Sequence, residues 1–323
     1  MAAAADVGTG SSGAFARDVE QGLCGAGQKQ IPSEYLYDAL GTALFQAITH
    51  LPEYGLTRAD SRLLRAHARE VARSMPVGTI VAELGSGDGK KTRHILEALS
   101  SRGGTLYYPI DISTAALAAC REELSSAAHV VPIENNYLDG LHRVMQRRWT
   151  RQPMLVLFLG SSIGNFDPPT AAAFLGTVNG MLQPGDALLV GADLIKPASM
   201  LIPAYDDGIG VTAAFNKNVL ARLNRELGGE FDLKTFAHEA RYDSAETRVE
   251  MHLRSEKAQK VRIERLDTVV EFASGETIWT ESSYKFDVQQ LSAMAGAAGF
   301  AVEQEWVDQE WPFAEMLWRV PAR

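Results

Sequence analysis

The fold is decided by the stretch Val81-Ala82-Glu83-Leu84-Gly85-Ser86-Gly87-Asp88-Gly89. An apolar run that ends in an acid and then in spaced glycines predicts a strand that breaks into a loop around a nucleotide. Gly85 and Gly87 would let the backbone approach a ligand closely and adopt positive φ angles. Apolar residues recur at helical spacing after Lys91, so the next helix should point its N-terminus at the ligand. An ordinary strand-to-helix turn is the alternative that this stretch alone leaves open.

Two further strand-like runs end in side chains suited to adenosine. The run 105–110 ends in Asp111, whose carboxylate could accept hydrogen bonds from both ribose hydroxyls. The run 129–133 leads to Asn136 and Tyr137. The amide oxygen could accept from an adenine amino group, and the ring could pack on the base.

A fourth run, 154–159, ends in Gly160 and a polar segment, as a reaction centre at the carboxyl edge of a parallel sheet requires. The glycine spacing of the first loop is G-x-G-x-G, which differs from the G-x-G-x-x-G of dinucleotide folds. Adenosine without a pyrophosphate fits these residues better than NAD. The sequence therefore predicts S-adenosylmethionine as the cofactor.

The amino-acid composition excludes several kinds of binding partner and site. The chain has 323 residues, more than a usual single domain, and its net charge of −9 argues against non-specific binding of nucleic acid. Its two cysteines, Cys24 and Cys120, have no redox-like or metal-like spacing, and the seven histidines form no H-x-x-x-H or H-x-H pair. We therefore expect neither a disulfide framework nor a bound metal.

The N-terminal residues 1–13 are rich in Ala, Gly and Ser and resemble neither a signal peptide nor a membrane span, so we expect disorder there. Elsewhere no run reaches the roughly 18 apolar residues of a membrane helix. We expect a cytoplasmic monomer whose partner is a small-molecule substrate, with no nucleic acid and no membrane.

The order of elements changes after the strand 187–192. A mostly helical stretch, 198–240, comes first. Alternating, strand-like segments then follow at 248–253, 268–272 and 277–279. The chain closes with a helix, 288–298, and an antiparallel hairpin of the segments 301–305 and 316–320, as many methyltransferase sheets do.

We therefore predict an α/β fold, with a Rossmann-like sheet of the class I S-adenosylmethionine-dependent methyltransferases and a second, α+β domain. Residues 59–194 and 286–323 should form the cofactor-binding domain. Residues 14–58 and 195–285, an N-terminal arm and an insertion, should form a substrate-binding domain.

Many separated motifs carry a family resemblance over most of the chain. They are YLYD at 35–38, GTALF at 41–45, LPEY at 51–54, ELGSG at 83–87, KTR at 91–93, LGSSIGNF at 159–166, AYDD at 204–207, the segment 210–226, EMHL at 250–253 and the segment 275–286 with ESSYKF at its end. In these motifs the chain resembles the L-histidine Nα-methyltransferases of the ergothioneine pathway. The resemblance implies three successive methyl transfers from S-adenosylmethionine to the α-amine of L-histidine, giving hercynine, the first step of ergothioneine biosynthesis.

The resemblance also implies the contacts of the amino-acid head group. Asn165 and Tyr205 match positions that hold it, and Tyr54 and Tyr37 match aromatic positions of the same pocket. Because the sulfonium donor is already activated, we expect no catalytic residue beyond those that align the substrate.

Glu281 and Ser283 alternate on a predicted strand, so both side chains should lie on one face and could contact the two imidazole nitrogens. Ser282 belongs to the same motif and is included among the substrate-binding candidates. Met251 matches an apolar position beside the ring. Lys91 is either a capping or surface lysine or a donor to the methionyl carboxylate of the cofactor.

The sequence departs from the family pattern at two positions, and two alternative functions stay open. Asn136 stands where the family often has an aspartate, and Gly55 where a second tyrosine often follows Tyr54. One alternative is an N-methyltransferase of a tryptophan-like amine, which would favour an apolar residue at Glu281 and less bulk at Met251. The other is a non-catalytic regulatory protein that binds S-adenosylmethionine.

Overall fold

The structure, a computed structural model, describes residues 11–322. Its α-helices are α1 (Ser11–Cys24), α2 (Ala39–Ile48), α3 (Leu56–Ser74), α4 (Arg93–Ser100), α5 (Thr114–Leu124), α6 (Tyr137–Arg147), α7 (Pro168–Met181), α8 (Ala198–Tyr205), α9 (Val211–Leu227) and α10 (Val288–Ala297). Of the predicted disordered residues 1–13, the first ten lie outside the described part. Helix α1 begins at Ser11, so for residues 11–13 the prediction is wrong.

The strands are β1 (Lys29–Gln30), β2 (Ile80–Leu84), β3 (Leu106–Asp111), β4 (His129–Val130), β5 (Ile133–Glu134), β6 (Met154–Phe158), β7 (Ala187–Asp193), β8 (Phe236–Asp243), β9 (Arg248–Ser255), β10 (Gln259–Ile263), β11 (Thr268–Phe272), β12 (Thr277–Tyr284), β13 (Ala301–Asp308) and β14 (Phe313–Arg319). None of the helices within residues 11–322 is long and apolar enough to cross a membrane.

The chain divides into two compact units. The first comprises Met1–Glu53 and Ala198–Ser282, and the second comprises Tyr54–Pro197 and Ser283–Arg323. Each is thus made of two separate segments of sequence. The assignment of substrate binding to the first unit and cofactor binding to the second stays a prediction.

The second unit contains one large sheet with the strand order β13-β14-β7-β6-β2-β3-β4, and β5 also pairs with β3. The strands from β7 to β4 run parallel, whereas β14 is antiparallel to both β7 and β13. This topology confirms the predicted parallel sheet that closes with an antiparallel hairpin. The strand predicted over 129–133 is instead two short pieces, β4 and β5.

This sheet is buried on both faces. In β2, Ile80, Ala82 and Leu84 pack in one core with residues of α6, α7 and α10, while Val81 packs in the opposite core with residues of α3, α4 and α5. Strands covered on both sides need apolar residues at every position. That requirement explains why the sequence shows continuous apolar runs here.

The first unit is built differently, around a four-stranded sheet with the order β1-β12-β9-β8 and a separate hairpin of β10 and β11. The predicted helical stretch 198–240 is wrong at its end, because α9 stops at Leu227 and Gly228 provides a left-handed cap. Residues after Phe236 form β8, which pairs antiparallel with β9. The strand predicted at 277–279 extends to Tyr284.

A buried ion pair fixes the start of two neighbouring strands in the second unit. Arg148 donates two hydrogen bonds to the Asp186 carboxylate, at 2.6 and 2.7 Å, and both side chains are almost fully buried. Asp186 also accepts from the backbone amides of Met154 and Gln183. One carboxylate therefore joins the beginning of β6 to the turn before β7.

We predict that Asp186→Ala lowers the free energy of unfolding by about 3–5 kcal/mol, because it leaves the Arg148 guanidinium buried without its partner. The matched control is Glu271→Ala, which removes the partner of Lys260 in an exposed pair. It should cost less than about 1 kcal/mol. Urea unfolding of both variants measures the difference, and equal costs would contradict the prediction.

Candidate active site

The glycine loop after β2 presents its backbone as the sequence predicts. Gly85 and Gly87 have φ angles of +79° and +53°. A Cβ atom on Gly85 would lie 3.2 Å from the Tyr137 ring, whereas a Cβ on Gly87 would meet nothing within 4 Å. The loop is therefore closed by an aromatic ring at its first glycine and open at its second.

Asp111 ends β3 beside this loop. Its two carboxylate oxygens accept from the backbone amides of Gly87, at 3.1 Å, and Ser113, at 2.9 Å. Burial raises the pKa of the Asp111 carboxyl, although the amide donors oppose the shift. Asp111 thus holds the glycine loop in place and lies next to the surface that the loop exposes.

Asn136 and Tyr137 lie at the start of α6. The Tyr137 ring packs edge-on against Phe158, with ring centroids 5.6 Å apart. Asn136 is the N-cap: its side-chain oxygen accepts from the Asp139 amide at 2.9 Å, and its amide group donates to the Asp139 carboxylate at 2.8 Å. The structure gives Asn136 a capping role, which the N-x-x-D spacing could have indicated. Its contact with adenine stays a prediction.

Lys91 and Gly160 meet at a buried acid that no motif indicated. The Lys91 ammonium forms an ion pair with Asp60, whose side chain is fully buried, and Asp60 also accepts from the Gly160 amide at 3.1 Å. A Cβ on Gly160 would lie 2.9 Å from the Lys91 nitrogen. Burial lowers the pKa of Lys91, but the Asp60 carboxylate outweighs that effect and the net shift is upward. Lys91 is therefore an anchored cation at the edge of the sheet.

Two further acids lie buried near this ion pair. Glu83 accepts hydrogen bonds from the hydroxyls of Thr92 and Tyr107, and burial raises its pKa to about 7. Burial and the charge of Asp60 raise the pKa of Glu315 well above its usual range. Both acids lie inside the core and have almost no exposed surface for a ligand.

The remaining candidates of the second unit include Asn165 and Tyr54. Asn165 ends the 3-10 helix Ser162–Asn165, which follows β6 at the carboxyl edge of the sheet, as predicted from the sequence. Tyr54 is buried at the beginning of the unit. Ser161, just before the 3-10 helix, has a left-handed backbone with φ +61°.

In the first unit the structure brings Tyr37 and Glu281 together. The Tyr37 hydroxyl donates to a Glu281 carboxylate oxygen at 3.5 Å, and its ring contacts Phe45 and Phe215 edge-on. Glu281 is 9% exposed. The carboxylate is thus mostly withdrawn from solvent beside a phenol, an environment in which a polar ligand group would be recognised strongly.

A hydrogen-bond network centred on Asn216 reaches the backbone of two predicted substrate residues, Tyr205 and Met251, and lies beside a third, Glu281. The Asn216 amide donates to Nδ1 of His238 at 2.9 Å, and Nε2 of His238 lies 2.7 Å from the Tyr205 carbonyl oxygen. The Thr280 hydroxyl lies 2.6 Å from the Asn216 amide oxygen and 3.0 Å from the Met251 carbonyl oxygen. Burial lowers the pKa of His238, which favours the neutral ring that this pattern requires. The network ties α8, α9, β8, β9 and β12 together next to Glu281.

Ser283 contacts a further buried ion pair. The Lys285 ammonium donates to the Ser283 hydroxyl oxygen at 2.7 Å and lies 3.1 Å from the Asp193 carboxylate. Asp193 also accepts from Lys196 at 2.5 Å and from the Trp311 indole at 2.9 Å. Ser282 alternates with its neighbours along β12 and therefore points to the opposite face from Glu281 and Ser283.

Within residues 11–322, no group of three or more His, Cys, Asp or Glu side chains could hold a metal ion.

The chain is similar to known proteins over nearly its whole length. A family described as "Histidine-specific methyltransferase, SAM-dependent" matches residues 15–320. The chain is 42% identical over 308 residues to a histidine N-alpha-methyltransferase of Mycobacterium tuberculosis, with 94% of each protein covered. It is 41% identical over 313 residues to the histidine N-alpha-methyltransferase of Mycolicibacterium smegmatis, again with 94% of each covered.

A longer relative is similar over part of its length. Ergothioneine biosynthesis protein 1 of Neurospora crassa is 36% identical over 211 residues, which cover 62% of this chain and 23% of that protein. The similarity to the two bacterial proteins therefore spans both compact units, and the similarity to the fungal protein spans a smaller portion.

We predict that Asp111→Ala weakens binding of S-adenosylhomocysteine by about tenfold to a hundredfold, because a charged acceptor beside the glycine loop is lost. Asp111→Asn keeps one oxygen for the backbone amides and should weaken binding less. The control is Glu134→Ala, which removes an exposed acid opposite Asp111 on the neighbouring strand. Calorimetric titration measures all three, and wild-type affinity in both Asp111 variants would remove this residue from the site.

Proposed function

The chain belongs to the family of S-adenosylmethionine-dependent, histidine-specific methyltransferases, and we propose that it transfers three methyl groups in succession to the α-amine of L-histidine. The product is the betaine hercynine, and the reaction is the first step of ergothioneine synthesis. The relatives of high identity are named as histidine N-alpha-methyltransferases, which supports the α-amine as the position of transfer. That the enzyme acts as a cytoplasmic monomer stays a prediction.

The observation that carries the proposal is the placement of Glu281 and Ser283. They are alternate residues of β12, so their side chains lie on one face of the strand. A carboxylate can only accept hydrogen bonds, whereas a hydroxyl can donate one. This combination matches an imidazole ring, which has one N–H and one bare nitrogen. Met251, almost fully buried on the neighbouring strand β9, supplies apolar volume for the ring.

The second unit fits the cofactor. The open backbone at Gly87, the carboxylate of Asp111 and the anchored ammonium of Lys91 offer the groups that an adenosine with a methionyl tail needs. The residues we propose to hold it are Gly85, Gly87, Lys91, Asp111, Asn136, Tyr137 and Gly160. When bound, S-adenosylmethionine supplies an activated methyl group on a sulfonium centre.

The protein's task is then to align an unprotonated amine with that methyl group. We assign the head group of the substrate to the Asn165 amide and the Tyr205 hydroxyl, with Tyr54 and Tyr37 as aromatic neighbours. A tyrosine face attracts the quaternary ammonium that forms after the third transfer, by about 0.5–2 kcal/mol. This attraction supports repeated methylation at one nitrogen.

The direct test is incubation of the purified protein with S-adenosylmethionine and either L-histidine or L-tryptophan. We expect mass spectrometry to show a histidine-derived product that is heavier by three methyl groups, and no gain on tryptophan. Methylation of tryptophan with histidine unchanged would support the alternative substrate class. Binding of S-adenosylhomocysteine without turnover of either amine would support a regulatory protein.

We also predict that Glu281→Ala lowers kcat/KM for histidine by about tenfold to a hundredfold, because an imidazole N–H loses a charged acceptor. Affinity for S-adenosylhomocysteine should not change. Adding Met251→Val enlarges the apolar space and should shift preference toward tryptophan. The control Glu271→Ala removes an exposed acid of the same unit and should leave both substrates unaffected. A histidine-to-tryptophan ratio that stays at the wild-type value in the double variant would contradict the ring assignment.

A further inference from the structure

We propose that Glu315 is protonated and donates a hydrogen bond to Asp60, and that this shared proton lets Lys91 bind the carboxylate of the cofactor's amino-acid tail. Glu315 is in this sense a positioning residue, because it acts on the cofactor through Asp60 and Lys91. The inference rests on the proposed function in one respect, since it takes Lys91 as the contact of the tail. It does not depend on which amine is methylated.

Glu315 faces the helix that carries Asp60. It lies on β14 two residues before Leu317, and alternate residues of a strand share a face. Leu317 packs in one core with Leu64 of α3, the helix to which Asp60 also belongs. Opposite Glu315 on β7 is Gly191, where a Cβ atom would lie 2.6 Å from a Glu315 oxygen. The missing side chain of Gly191 therefore leaves room for a buried carboxyl group.

The carboxyl groups of Asp60 and Glu315 lie within hydrogen-bonding reach of each other, and both side chains are buried. Oδ2 of Asp60 accepts from Lys91 and from the Gly160 amide. Within residues 11–322, Oδ1 of Asp60 and both oxygens of Glu315 have no hydrogen-bond partner. Two carboxylates cannot bond, because each only accepts. One proton on Glu315 supplies the donor that the pair lacks.

The surrounding charges place this proton on Glu315. Lys91 and the Gly160 amide both donate to Asp60, which stabilises its ionised form. Glu315 has Asp60 and Glu83 as acidic neighbours. Burial and then the charge of Asp60 raise the pKa of Glu315 well above its usual range, whereas Lys91 opposes the shift. Of two facing carboxyls in a buried place, the one without its own cation takes the proton.

The proton changes what Lys91 can do for the cofactor. The Lys91 side chain is 24% exposed and that of Asp60 is fully buried, so a ligand meets the ammonium rather than the acid. With Glu315 neutral, the charges of Lys91 and Asp60 cancel. With Glu315 ionised, the three groups would form a net anion and repel a carboxylate. The bond from Glu315 also occupies Oδ1 of Asp60, so Asp60 engages Lys91 through Oδ2 alone.

The first test is infrared spectroscopy of the wild type and Glu315→Gln, recorded well above the pKa of about 7 to which burial raises Glu83, so that Glu83 is mostly ionised. We expect the carbonyl band of a protonated carboxylic acid in the wild type and its loss in Glu315→Gln. The matched control Glu305→Gln makes the same change at an exposed acid of β13 and should keep the band. Identical spectra of the wild type and Glu315→Gln overturn the inference.

The second test compares two ligands that differ in the tail. S-adenosylhomocysteine has the amino-acid carboxylate, and 5′-methylthioadenosine lacks it. We expect Glu315→Met to weaken binding of S-adenosylhomocysteine at least about tenfold, because Asp60 loses its donor and draws Lys91 away with both oxygens. Affinity for 5′-methylthioadenosine should not change, which also shows that the variant is folded. Glu315→Gln keeps a donor toward Asp60 and should bind both ligands like the wild type.

A double variant separates this role from a purely structural one. Lys91→Met should weaken binding of S-adenosylhomocysteine alone. Adding Glu315→Met should then weaken it no further, because the effect of Glu315 passes through the ammonium. An equal loss of affinity for both ligands in Glu315→Met would mean that Glu315 only supports the fold, and would overturn the inference.

Two further outcomes count against different claims. Wild-type protein that binds the two ligands equally well overturns the inference, since Lys91 then makes no contact with the tail. Protein that shows the expected infrared band and ligand discrimination, yet methylates no histidine, supports the inference and overturns the proposed function instead.

Discussion

The parallel pairing of β2 with β3 and β6 is the constraint on which the cofactor side of the protein depends. Because these strands run in the same direction and are buried on both faces, their carboxyl ends meet at one edge. Asp111 ends β3, whereas Gly85 and Gly160 follow β2 and β6, and the shared edge is what brings such distant residues into one region. A shift in the pairing of any of these strands would move its polar end away from the others.

Buried acids that pair with lysines hold several groups of the proposed site in position. Asp60 fixes Lys91 and the Gly160 amide, and Asp193 fixes Lys285. Burial of an ion pair contributes little net stability, since the loss of hydration offsets the attraction. Its value here is geometric, because each lysine nitrogen is held in a defined position next to a proposed ligand contact.

In the first unit, hydrogen bonds between uncharged groups hold proposed substrate residues in position. Asn216 connects His238, Thr280 and the His252 carbonyl, and the backbone of Tyr205 is reached through His238. Buried hydrogen bonds are directional, so the network specifies the relative positions of its strands and helices more strictly than apolar contacts do. Tyr205 and Met251, two of the proposed substrate residues, are therefore held through their backbone by this network.

The sequence by itself determined the features that local patterns encode. The glycine loop, the polar residues at strand ends and the final hairpin all follow from spacing within short segments. The strand predicted at 277–279 stopped short of Glu281 and Ser283, both of which lie on β12. Only the tertiary structure decided which groups support them. Asp60 lies 31 residues from Lys91, and Asn216 lies 64 residues from Thr280. No periodicity links such pairs, because their contact arises when separate elements pack and each buried polar group must find a partner.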